Sequence, residues 1–174
     1  MTPDQPQGKK RSLLGFYIAT GVVAVLLVAG WLARTPIQVR YYRWKAVYSP
    51  DTGRRRVDAG MALADMGPPA EGALRELLRS KDPDVRMNTV ISIGNSGRST
   101  YWLPLLVGAS QDPDDSVAWV AIQNVIQRSN SQWFDNPFDP SDLETIGAHR
   151  KAVLDWWESK GRRQYQKLLD EELI

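Results

Sequence analysis

The sequence predicts an all-α chain: an N-terminal transmembrane helix, a short α-solenoid of about three helical-hairpin repeats, and a C-terminal capping helix. Three observations predict it. Residues 12–33, SLLGFYIATGVVAVLLVAGWLA, run for 22 residues without a charge. The triplets Ser49-Pro50-Asp51, Ser80-Lys81-Asp82 and Ser110-Gln111-Asp112 recur at spacings of 31 and 30, each ahead of a helical run. Near the C-terminus, Leu143, Ile146, Val153, Leu154 and Trp156-Trp157 give a further helix an apolar face with which to close the stack.

The charge-free stretch is bracketed by Lys9-Lys10-Arg11 and Arg34. At about 1.5 Å per residue it reaches roughly 30 Å, the depth of a hydrocarbon core. Trp31 near its end suits the headgroup boundary. A cleavable signal peptide is the competing reading, but its apolar core is usually only about 7–15 residues, and Val28 and Gly30 make a mediocre cleavage site. The expectation is an uncleaved single-pass anchor in the cell membrane. Three basic residues precede the helix and four follow it (Arg34, Arg40, Arg43, Lys45), so the positive-inside rule is nearly balanced. The cluster abutting the N-terminal end tips the expectation toward residues 34–174 on the extracytoplasmic side.

The chain thus divides into a basic tail (1–11), the membrane helix (12–33), a juxtamembrane aromatic and basic helix (34–48), the repeats (49–130) and a C-terminal loop with capping helices (131–174). In the juxtamembrane segment Ile37, Tyr41, Trp44 and Tyr48 fall on one helical stripe. The stripe either packs the helix onto the domain behind it, the reading preferred here, or faces lipid with Arg40, Arg43 and Lys45 on headgroup phosphates.

Composition excludes several functions. With no cysteine and one histidine, His149, there are no cysteine nucleophiles, disulfides, thiolate zinc sites or paired-histidine metal sites. No catalytic residue, cofactor or metal is expected. Residues 49–130 carry nine basic and ten acidic side chains, and 131–174 six against nine, so the globular part lacks the basic face of a nucleic-acid binder. No small-molecule substrate is indicated. The expected partner is another protein.

Each repeat reads as a turn, a helix, a glycine and a second helix. The first helices are expected over 56–66, 85–96 and 117–128, with serine and aspartate ahead of each run to cap the free N–H groups. Gly67 and Gly97, 30 apart, mark the ends of the first two and are expected in the left-handed conformation. Leu74-x-x-Leu77-Leu78 and Leu103-x-x-Leu106-Val107 follow as second helices. One such hairpin cannot bury its apolar face alone; a stack of three can.

The stretch DPDVRMNTVISIGNSGRS, with its Asp-Pro-Asp-Val-Arg opening, small and aliphatic helix, glycine and leucine-rich second helix, resembles the short HEAT-like repeat also named after phycobilisome lyases. The resemblance covers 49 to about 130. In the first unit Arg55-Arg56 replace the usual Val-Arg, and in the third Ala118 replaces the arginine. It implies an α-solenoid of HEAT-like helical-hairpin repeats, a scaffold used by adaptors, enzyme subunits and chromophore lyases alike. A lyase-like or accessory enzyme is therefore the alternative to a non-catalytic scaffold, with no catalytic residue to carry over.

Four further features have two readings. Residues 94–99, GNSGRS, contain two glycines but follow a helix and lack a P-loop lysine, so they read as a helix ending and not as a phosphate loop. Arg54, Arg55 and Arg56 oppose the helix dipole and either grip anionic headgroups or an acidic partner, or form a solvated helix end. Asp112, Asp114 and Asp115 read as caps, since a calcium loop would need alternating ligands and a closing glutamate. The segment holding Trp133, Phe134 and Phe138, rich in proline, is a candidate partner-binding loop. Ser141-x-x-Glu144 is a capping box for the helix holding His149.

Overall fold

The computed structural model describes residues 9–49, 53–129 and 145–171. Every regular element among them is helical. Helix α1 runs Lys9–Tyr48 and contains Pro36. Three helices open the repeats: α2 (Arg54–Asp65), α4 (Pro83–Asn95) and α6 (Asp115–Ser129). They alternate with short second helices, α3 (Glu71–Leu77) and α5 (Leu103–Ala109). Helix α7 (Ile146–Trp156) passes through one π turn into α8 (Arg162–Asp170). Two compact units result, Met1–Gln38 and Val39–Ile174.

In the first unit, the described side chains between Phe16 and Trp31 are all exposed. The apolar helix has a mean hydropathy of 2.2 over its best window, and nothing in that window is buried. By length and composition it fits a membrane anchor and a signal sequence alike.

The second unit is the solenoid. Helix α2 packs on α4 and α4 on α6, with α5 against α6. Leu63, Leu74, Val90, Ile93, Leu103, Leu106, Ile122 and Val125 are fully buried and form one continuous core. Two close crossings set the spacing of the first helices. A Cβ on Gly60 would stand 2.3 Å from Ser92 Oγ, and one on Gly94 would stand 1.9 Å from Asn124 Oδ1. Glycine is needed at both because the next helix sends a polar side chain into the gap.

The capping grammar holds at α4 and α6, whereas α2 starts from Gly53 without a side-chain cap. Asp82 accepts from the Asp84 amide at 2.9 Å, and Asp114 accepts from Ser116 and Val117 at 2.9 and 3.2 Å. Helix ends differ from expectation at one glycine. Gly67 has φ of 71°, the left-handed conformation, but Gly97 does not. Ser96 has already left the helix in an extended conformation, and the Gly97 amide donates to Asp65 Oδ1 at 2.9 Å. A carboxylate from the first repeat thus holds the turn that a left-handed residue was expected to make.

Two other expectations are corrected. The aromatic stripe of the juxtamembrane helix does not pack: Ile37, Tyr41, Trp44 and Tyr48 are all exposed, whereas Val39, Tyr42, Ala46 and Val47 meet the core. The helix meets the core through the opposite side, which leaves Tyr41, Trp44 and Tyr48 outside. The capping box at Ser141 and Glu144 lies outside the described residues, and α7 starts later, with Thr145 as its cap accepting from the Ala148 amide at 3.2 Å.

The C-terminal cap buries Val153, Trp156, Trp157 and Leu168. Its π turn, Trp157–Gly161, makes room for two consecutive tryptophans, since a Cβ at Gly161 would come within 3.0 Å of both rings. Tyr165 of α8 donates to the Tyr101 carbonyl at 2.7 Å, which fastens the cap back onto the turn before α5.

Candidate functional site

Polar links tie each repeat to the next. Arg86 of α4 forms a two-pronged pair with Asp112, Nε to Oδ2 at 2.7 Å and a terminal nitrogen to Oδ1 at 2.9 Å. The two side chains are 11% and 8% exposed. Arg86 also donates to the Ser80 carbonyl at 2.8 Å, just as Arg56 donates to the Ser49 carbonyl at 3.3 Å. Burial by itself would raise the Asp112 carboxyl. Hydrogen bonds from Arg86 and the Asp114 amide, with the charges of Arg86 and Arg150, outweigh it and hold the group below the usual carboxylate range. The hydrogen bond to Asp112 raises Arg86 in turn, against the opposing effect of burial.

Beside this pair lies a groove of about 230 Å³ between the two second helices. Leu78 and Leu105 supply apolar walls, Gly108 leaves one side open, and Arg75 and Arg79 stand along the rim. Arg75 is held by Glu71 at 2.7 Å, while Arg79 has no ion-pair partner among the described residues. Past Arg75 the groove narrows to a second recess beside Tyr101 and Tyr165. Its floor is stiff because Arg86 and Asp112 fix the turn between α5 and α6 to the start of α4. This surface was not foreseen, because it needs residues in and just after α3 to line one recess with residues of α5, which sequence periodicity does not report.

A second surface gathers residues that the sequence had singled out. Arg40, Arg43 and Trp44 join Val47 and Tyr48 around a shallow recess of about 320 Å³. Arg43 is ion-paired with Glu76 of α3. Lys45 sits half-buried on the flank. The three arginines at the start of α2 are not brought to this recess: Arg54 and Arg55 are exposed, and Arg56 is taken up by the Ser49 carbonyl. Trp133, Phe134 and Phe138 lie outside the described residues.

Among the described residues no three His, Cys, Asp or Glu side chains converge on a common point. The acidic turn is occupied: Asp112 by Arg86, Asp114 by backbone amides, Asp115 by Arg150 at 3.0 Å. His149 is buried, with Nδ1 at 2.9 Å from the Thr145 carbonyl and the ring edge-on to Trp119.

Residues 48–126 match the family model of HEAT repeats. Over that stretch the chain is similar to HEAT repeats. The match begins at the last residue of α1 and ends within α6, so it takes in both complete hairpins and most of the third opening helix. Neither a curated protein nor a solved structure matches the chain. HEAT repeats suggest a helical scaffold for protein–protein interaction, and the groove between α3 and α5 lies within the matched residues.

Proposed function

We propose that this chain is a single-pass, membrane-anchored scaffold that holds a protein partner in the groove between α3 and α5 and carries out no catalysis of its own. The observation that carries the reading is that groove: apolar walls, an arginine with no ion-pair partner among the described residues, and an open side on a floor braced by Arg86 and Asp112. Preorganised surfaces of this kind lose little on binding, because their shape is fixed before the partner arrives. The apolar helix with none of its best window buried supports the anchor. The chain has no cysteine, and its one histidine is committed to a backbone carbonyl and a tryptophan edge, which supports a non-catalytic role.

The test is purification of the intact protein from detergent-solubilised membranes, beside a variant carrying Arg79→Glu and Gly108→Trp. A Cβ at Gly108 meets nothing within 4 Å, so the new ring fills the groove without disturbing the core. A partner retained by the native chain and lost from the variant is expected. Extraction of the chain by alkaline carbonate without detergent would overturn the anchor, and turnover of a substrate by the purified chain would overturn the non-catalytic reading.

A further inference from the structure

The outward face of α1 within the second unit carries three of the exposed large aromatic side chains among the described residues. Tyr41, Trp44 and Tyr48 are 53%, 58% and 66% exposed, although they are large aromatic side chains on a helix whose other side is packed. Successive positions on an α-helix turn by about 100°, so Arg40, Trp44 and Tyr48 lie along one ridge, with Arg43 on one flank and Lys45 on the other. An apolar ridge with charged flanks is how one helix presents itself to another. No acidic residue occurs from Lys9 to Tyr48. Glu76, which pairs with Arg43, supplies the carboxylate at the edge of this face.

We propose that this face is a second docking surface, for an acidic amphipathic helix of a partner protein. Its aliphatic side chains would cover Trp44 and Tyr48, and its carboxylates would meet Arg40 and Lys45. The inference rests on the protein-scaffold reading and adds a site and a partner chemistry to it. Charge decides against a second copy of this chain, because two such faces would set cation against cation.

The chain has no cysteine, so Tyr41→Cys creates a unique attachment point for an environment-sensitive fluorophore at the edge of the ridge. The full-length protein, in zwitterionic nanodiscs or in a non-ionic detergent, is titrated with a synthetic helical peptide bearing leucine at every third or fourth position and glutamate beside them. A saturable blue shift is expected, with at least tenfold weaker binding in Arg40→Glu and in Trp44→Ala. The Arg40→Glu variant should gain affinity for the same peptide with lysine in place of glutamate, which a merely misfolded variant would not do. Absence of a saturable shift, or equal binding by both variants, overturns the proposal. So does a label already shifted without peptide in discs containing phosphatidylglycerol and unshifted in zwitterionic discs, which would assign the face to headgroups. Failure to enter discs while peptide binding persists in detergent would count against the anchor and leave this docking face standing. Loss of peptide binding while the groove still retains its partner would do the reverse.

Discussion

Arg150 meets Asp112 where the third repeat lacks an arginine of its own. In the second repeat Arg86 donates to the backbone of its own turn; at the corresponding place in the third stands Ala118, fully buried. The guanidinium comes instead from α7, donating to the Asp112 carbonyl and to Asp115 at 3.0 Å, while Gln111 returns a hydrogen bond to the Arg150 carbonyl at 3.2 Å. The cap therefore completes the last repeat as well as covering it.

Replacing Arg150 by alanine strips that turn of its donor, at a cost of about 1–3 kcal/mol. Amide hydrogen exchange is expected to quicken at the start of α6 and in α7 and to stay unchanged in α2. Unchanged exchange at the start of α6 would show that Arg150 only covers the repeat end.

Acid should loosen the junction between the second and third repeats. The Asp112 carboxyl lies below its ordinary value in the folded protein, so the unfolded chain binds the proton more readily. The pair therefore contributes fully above about pH 4 and is lost as pH falls through the lower, folded value. Asp112→Asn should flatten this acid dependence and cost about 3–5 kcal/mol at neutral pH, since Arg86 is left buried without its partner. Urea unfolding across the acid range measures both.

The glycines separate by position. Gly94→Ala forces a methyl group into Asn124 and should destabilise by about 1–3 kcal/mol. Gly72→Ala, exposed in α3 with nothing within 4 Å, should stabilise by up to about 1 kcal/mol. Thermal melts of the two variants should move in opposite directions.

Alkali should release α8. Burial, then the neighbouring Tyr101 and Glu71, push the Tyr165 phenol up to about 12. The folded state keeps a proton that the unfolded chain gives up near pH 10, so stability is lost as pH rises between those values. Tyr165→Phe should abolish that loss. Phenolate absorbance followed beside near-ultraviolet circular dichroism checks it.

The repeat was legible because its signals are local. Asp82 precedes its helix, Leu74 and Leu77 recur at helical spacing, and Gly67 ends a run, all within one turn or two of chain. What stayed hidden depends on partners far apart in sequence. Nothing in the neighbourhood of Gly97 announces Asp65, and nothing beside Ala118 points to Arg150. The stripe of Ile37, Tyr41, Trp44 and Tyr48 was legible as a stripe, but periodicity alone does not say whether such a face turns inward or outward. Here it was the face formed by Val39, Tyr42 and Ala46 that turned inward.

The two crossings, Ser92 over Gly60 and Asn124 over Gly94, differ in shape: the serine hydroxyl reaches carbonyls of both Val57 and Asn88, whereas the longer amide turns back to Val120. Units of this solenoid are consequently keyed and not interchangeable. A shuffled order would bring the longer Asn124 amide to Gly60, the site that the short Ser92 hydroxyl occupies, so recombination of these hairpins would be penalised at the joint even where every hairpin remained intact.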